Sequence, residues 1–134
     1  GRRPHRRQFL VELLSMKKPR RVTVSEPLYG TSIEVYANYP QEAALRRCAK
    51  VMEMDADDPE NAADDSAAGW CMSHGGWALI WIESYPDDQS SLPHELWHAI
   101  HGFTRHIESS DEETGAYLMG HYDPRIRAKL NKKV

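Results

Sequence analysis

The sequence has few cysteines that could cross-link a small fold and no long apolar run that could anchor it in a membrane. It contains only two cysteines in 134 residues, Cys48 and Cys71. This is too few for a disulfide framework, so we expect two free thiols and a reducing, cytoplasmic location. Its longest apolar run, residues 77–82, is far shorter than the about 20 residues that a membrane-spanning helix needs, so no membrane partner is expected. One domain covering residues 1–134, with its own core, is expected at this length.

The chain has little net charge, but its charged residues are unevenly distributed along the sequence. The net charge is −3, with basic residues gathered at the two ends and acidic residues in the middle. We therefore expect basic termini at residues 1–8 and about 126–134, the first a mobile tail and the second either mobile or helical, and an acidic surface loop at residues 55–68. The loop lacks the central glycine and terminal glutamate of an EF-hand calcium site. No basic stripe interleaved with aromatics follows the N-terminal arginines, which disfavours a nucleic-acid partner. A nucleic-acid-binding domain built on the basic termini is therefore the weakest of the alternatives.

The apolar patterns alternate between strand and helix periodicity, which predicts an α+β fold. The second strand of a hairpin built around His74-Gly75-Gly76 is apolar enough to lie inside a sheet. Because the chain begins with Gly1 instead of methionine, we expect a processed or excised product. The predicted elements are helices at residues 8–16, 41–54, 91 to about 103–106 and about 111–122, and strands at residues 20–26, 32–39, 69–73 and 77–83.

The most specific pattern is His94-Glu95-x-x-His98, which we interpret as a metal-binding helix. Residues four apart lie on one face of an α-helix, so His94 and His98 can direct two imidazoles at one ion. Glu95 is then rotated to the side where a metal-bound water would sit. Ser91 as the N-cap and Pro93 in the first turn favour a helix start here. The alternative is an ordinary amphipathic helix rich in histidine.

Two histidines make an incomplete zinc site, because catalytic zinc usually takes three protein ligands and one water. A metzincin would need a glycine three residues after His98 and a histidine six residues after it. This chain has His101 and Thr104 at those positions, so the metzincin pattern fails. The remaining candidates for a third ligand are Glu112, Glu113, His101, His106 and His121.

Residues 77–120 resemble the small gluzincin-type zinc metallopeptidase domains of phage and prophage proteins and, more distantly, ImmA/IrrE-like proteins. The motifs that carry the resemblance are His94-Glu95-x-x-His98 and Glu113-x-x-Ala116. The resemblance implies a zincin-like domain, with a short mixed or antiparallel sheet packed on an active-site helix that a glutamate-bearing helix follows. It implies Zn²⁺ held by His94, His98 and Glu113, with Glu112 as the near alternative, in a bacterial or phage-infected host cell.

The resemblance also implies that the protein hydrolyses peptide bonds of a peptide or protein substrate. Glu95 would be the general base toward a zinc-activated water. An extended substrate would pair with residues 77–83 or with the neighbouring strand, and the candidates for stabilising the oxyanion are His101, His121 and Tyr117.

A second hypothesis is a phage-associated structural or binding protein in which zinc has four protein ligands and no open position. The four tryptophans are expected in the core or in the wall of a groove. Among them, Trp97 lies between the two histidines in sequence and is expected to face away from the metal.

Overall fold

The computed structural model describes residues 17–55, 66–109 and 111–132. In this part of the chain, a four-stranded sheet lies between one helix on one face and two helices on the other. The α+β class and the mixed sheet are therefore confirmed. The elements in chain order are β1 (Arg20–Glu26), β2 (Thr31–Ala37), α1 (Gln41–Met52), β3 (Gly69–His74), β4 (Trp77–Ile82), α2 (Ser91–His106) and α3 (Glu112–Leu130).

The sheet is built from two hairpins placed side by side, in the order β1-β2-β4-β3. The strands within each hairpin are antiparallel, and β2 pairs with β4 in parallel. The parallel pair needs a long crossover, which α1 and the residues after it supply. Strand β4 is interior and buried from Ala78 to Ile82, as its continuous apolar sequence predicts. This leaves β1 and β3 at the two edges of the sheet.

The main core lies between the sheet and helices α2 and α3. Both helices present an apolar stripe at three- and four-residue spacing, which is how an amphipathic helix covers a sheet. Phe103 of α2 meets Tyr122 of α3, with ring centroids 5.9 Å apart. The largest fully buried apolar side chains here are Ile33, Ile80, Ile82, Leu92, Leu96, Ile100, Phe103, Leu118, Tyr122 and Ile126.

Helix α1 covers the opposite face of the sheet with a smaller aromatic core. Cys48 is buried there, as its helical position predicts, and both cysteines are free thiols. Trp81 is buried and donates its indole N–H to the Tyr39 carbonyl at 2.9 Å. Trp70 and Trp77 are partly buried in the same cluster. Three of the four tryptophans are therefore packed in or against this core.

Two buried carboxylates tie the elements together, and no sequence pattern predicted either of them. On the α1 face, Glu34 accepts two hydrogen bonds from Arg47, at 2.8 and 2.9 Å, and one from Trp77 at 2.7 Å. Burial raises the pKa of Glu34, but the hydrogen bonds from Arg47 and Trp77 outweigh it and leave the pKa below its usual value. This cluster joins α1 to the middle of the sheet.

The second carboxylate, Glu26, closes the turn between β1 and β2. It accepts hydrogen bonds from the Thr31 hydroxyl at 2.9 Å, from the Tyr117 hydroxyl at 3.1 Å, and from the backbone N–H groups of Leu28 and Tyr29. Burial raises the pKa of Glu26, and these donors together bring it below its usual value. Because Tyr117 belongs to α3, Glu26 also docks that helix on the hairpin.

Helix α3 is longer than predicted. It continues past Tyr122 and through Pro124 to Leu130, so the basic C-terminal segment is helical up to that residue. Ile126 and Leu130 are buried and extend the apolar stripe that begins with Thr114. Pro124 lies on the exposed side of the helix, where the loss of its N–H is tolerated.

The other element ends agree with the prediction to within a residue or two. The predicted helix at 8–16, the termini at 1–8 and 133–134, and most of the acidic loop lie outside the described residues. None of the helices in the described part of the chain is long and apolar enough to cross a bilayer.

Candidate functional site

The start of α2 is fixed by a carboxylate that precedes it. Asp88 accepts hydrogen bonds from the backbone N–H groups of Ser90, at 2.9 Å, and Ser91, at 3.1 Å. Both serine hydroxyls also donate to it. The hydrogen bonds from Ser91 hold the pKa of Asp88 below its usual value, although burial opposes them. Ser91 was predicted to cap the helix, but Ser90 occupies that position without a side-chain cap, and Asp88 satisfies the amides instead.

The first turns of α2 bring two imidazoles together, as the four-residue spacing predicts. Nε2 of His94 lies 3.3 Å from Nε2 of His98, and the two rings are nearly perpendicular. Two zinc–nitrogen bonds of about 2.0–2.1 Å at a tetrahedral angle would place their nitrogens about 3.3–3.4 Å apart. The two donor atoms therefore have the separation that a shared zinc ion requires.

Glu95 completes a compact group of potential ligands with the two histidines. Ligand atoms of the three residues lie within 4.8 Å of one another. Both histidines are exposed, whereas Glu95 is buried against the sheet. Burial raises the pKa of the Glu95 carboxyl, and the neighbouring charges of His94 and His98 partly oppose it. A carboxylate with a raised pKa is suited to accept and return a proton.

A cleft of about 650 Å³ runs between α2 and the edge strand β3, and Glu95 and His98 line it. Its other wall is β3 itself, including Trp70 and Ser73. The helix approaches the strand closely because Gly102 faces Ser73. A methyl group at residue 102 would lie 2.6 Å from the Ser73 hydroxyl oxygen. From the sequence, Gly102 was expected only to weaken the helix. In the structure it lies directly against Ser73, a residue of the cleft wall.

The two glutamates predicted as third ligands lie outside this group. Among the described residues, His94, Glu95 and His98 are the one set of three His, Cys, Asp or Glu side chains close enough to share an ion. Glu112 and Glu113 are exposed in the first turn of α3, where the Glu113 N–H donates to the Asp111 carboxylate at 2.9 Å. The structure thus groups Glu95 with the two histidines, and the assignment of Glu113 as a ligand stays a prediction.

The three candidates for oxyanion stabilisation are also separated by the fold. His101 lines the cleft beside Glu95 and His98. By contrast, Tyr117 donates to Glu26, and Nε2 of His121 lies 2.9 Å from the Ser25 carbonyl oxygen. The cleft therefore contains His101, whereas Tyr117 and His121 face the hairpin of β1 and β2.

Two cleft residues were missed in the sequence, and one was expected to point elsewhere. Trp97 is 56% exposed, packs on His101 with ring centroids 4.7 Å apart, and lines the same cleft as His98, although it was expected to face away from the metal. Arg105 and Cys71 line the cleft as well. The spacing of His94, His98, His101 and Arg105 along one helix face could have indicated this surface.

Comparisons with known proteins do not add to this geometry. No protein-family model, curated protein or solved structure matches the chain. The likeness to gluzincins therefore rests on the two sequence motifs, and any function must be argued from the site itself.

Proposed function

We propose that the protein is a zinc-dependent, gluzincin-like metallopeptidase. The observation that carries the proposal is the 3.3 Å separation of the His94 and His98 Nε2 atoms beside a buried carboxylate in a cleft. Imidazole nitrogen and carboxylate oxygen are the donors that catalytic zinc sites use. Exposed histidines at the mouth of a cleft leave space for a substrate, which a closed structural site would not need.

The residues of the site have distinct roles in this proposal. Zinc, when bound, supplies Lewis acidity toward a carbonyl and lowers the pKa of a water to about 7. His94 and His98 hold the ion. Glu95 accepts a proton from the attacking water and returns it to the leaving amine, for which its raised pKa is favourable. Its burial also shields that exchange from bulk solvent.

The edge strand β3 gives the cleft a means of holding an extended peptide. Among the residues that the structure describes, no strand pairs with its outer side, so its backbone groups are available to pair with a peptide. A peptide in this position would lie along the wall opposite Glu95 and His98. Of the two strands considered from the sequence, β4 is interior, so the substrate strand in this proposal is its neighbour β3.

Replacement of Glu95 tests the mechanism. We expect Glu95→Gln to keep zinc binding while lowering the rate of peptide cleavage by at least about 10³-fold, because the general base is lost. His98→Ala serves as the comparison variant and should lose both zinc and activity. Cleavage by Glu95→Gln at the rate of the unsubstituted protein would refute the mechanism.

A second candidate is a zinc-stabilised binding protein without peptidase activity. It rests on His101 and Cys71, which line the same cleft as His98. Both lie outside the group of His94, Glu95 and His98, so a closed site with four protein ligands would require them to move toward the ion. X-ray absorption of the zinc-loaded protein separates the two candidates. Four protein ligands including sulfur would support the binding protein, whereas a light-atom ligand that exchanges with solvent would support the peptidase.

A further inference from the structure

A concave basic surface lies at the sheet edge opposite the metal cleft, where the start of β1 meets the end of α3. It encloses about 650 Å³ and has no acidic residue among those that line it. We call this surface the basic groove, and its cations are Lys18, Arg20, Arg21, Lys129 and Lys132. It shares no residue with the cleft beside β3.

The basic groove joins the two basic ends of the sequence. Of the 17 lysines and arginines, eight fall within residues 1–21 and five within residues 125–134. The same two segments contain a single acidic residue, Glu12. Because α3 continues to Leu130 along β1, Lys129 reaches the Thr23 carbonyl at 2.7 Å. Residues 18–23 and residues 129 and 132, which are far apart in sequence, therefore contribute to one positive surface.

Most of this charge is not neutralised by neighbouring acids. Arg21 lies 3.3 Å from Glu34 and over the ring of Tyr36. Within the described part of the chain, the other four cations of the groove form no ion pair. The bond from Lys129 to a backbone carbonyl leaves its charge in place. The groove therefore carries uncompensated positive charge although the chain as a whole has a net charge of −3.

We propose that the basic groove binds the phosphodiester backbone of nucleic acid without reading its sequence. Several cations along a concave surface match the repeated charges of a phosphate chain. The groove has no aromatic side chain on which bases could stack, so recognition is confined to the backbone. It also lacks the exposed aromatic or large apolar side chains that insert into a membrane interface, which favours nucleic acid over an anionic lipid surface.

The experiment measures binding of the full chain to a short DNA duplex as the salt concentration is varied. Contact with about four phosphates predicts a slope of about −3.6 for log K against log[salt], and hence about a hundredfold loss of affinity between about 50 and 200 mM salt. The double variant Lys18→Glu and Lys132→Glu should weaken binding by at least about tenfold and reduce the slope by about 2. Both side chains are exposed, so the fold should be kept.

A matched control separates the groove from net charge. The double variant Arg46→Glu and Lys50→Glu changes the charge by the same amount on exposed positions of α1, and it should bind almost as well as the unsubstituted protein. If both double variants weaken DNA binding equally, net charge and not the groove governs binding, and the proposal is overturned. Unchanged binding by the groove variant, no binding to DNA at low salt, or tighter binding to phosphatidylserine vesicles than to DNA would also overturn it.

Discussion

A single turn of helix fixes the relative positions of His94, Glu95 and His98. The spacing of four residues is enough to bring the two Nε2 atoms to 3.3 Å. Glu95, rotated by one position, falls on the side of α2 that is buried against the sheet. The three side chains are therefore held by one rigid element, which is a favourable way to fix the geometry of the proposed site.

The third ligand can be tested with neighbouring glutamates. If Glu113 binds zinc, we expect Glu113→Ala to weaken zinc affinity by more than about a hundredfold, because a direct ligand contributes more than the outer-shell partners of a metal site. Glu112→Ala is the matched control, since it removes the same charge one position away, and should change affinity little. Competition with a chromogenic chelator measures both. Equal affinities for the two variants would contradict the assignment of Glu113.

At the scale of elements, the cleft depends on how closely α2 lies to β3. Gly102 sets that distance, because a methyl group there would lie 2.6 Å from the Ser73 oxygen and 3.1 Å from its Cβ. The hydroxyl can rotate away, but the Ser73 Cβ is attached to the strand and must move with it. A larger side chain at residue 102 would therefore displace the edge strand relative to the helix.

We expect Gly102→Ala to lower the free energy of unfolding by about 1 kcal/mol. The cost of overpacking, about 1–3 kcal/mol, exceeds the gain of about 1 kcal/mol in helix propensity. Gly120→Ala is the control, because Gly120 is exposed in α3 and a methyl group there meets nothing within 4 Å. It should raise stability by about 0.5–1 kcal/mol. Urea denaturation measures both, and a stabilising Gly102→Ala would contradict the close contact.

At the scale of the whole molecule, two buried carboxylates join the sheet to helices on its two faces. Glu34 links α1 to β2 and β4, and Glu26 links the first hairpin to α3. Each accepts hydrogen bonds in its ionised form, and each has a pKa below its usual value. Their protonation should therefore loosen the contacts between layers.

This predicts a loss of stability in acid. A carboxyl whose pKa is lower in the folded state than in the unfolded state stabilises the fold fully above the unfolded value, here 4.5. The contribution disappears as the pH falls through the lower, folded pKa. We expect the melting temperature to fall below about pH 4.5 and to fall less steeply in Glu26→Gln. Glu42→Gln, at an exposed position of α1, is the control and should keep the full pH dependence.

Much of the local structure follows from the sequence. The two hairpins, the three helices and the pairing of His94 with His98 depend on contacts a few residues apart, which periodicity and turn residues encode directly. The helix expected at about 111–122 extends further than predicted because Pro124 interrupts the pattern and the basic segment after it has few apolar residues, of which Ile126 and Leu130 are buried. Their burial depends on β1 and β2, which are about a hundred residues earlier in the chain.

The sequence by itself determined the pairing of His94 with His98, the class of fold and the interior position of β4. Only the tertiary structure decided that β3 is the edge strand beside α2, that Glu95 groups with His94 and His98, and that the cations of residues 18–21 share one groove with Lys129 and Lys132. The reason is that a helix turn fixes neighbours four residues apart, whereas strand order and helix docking bring together residues that no local pattern relates.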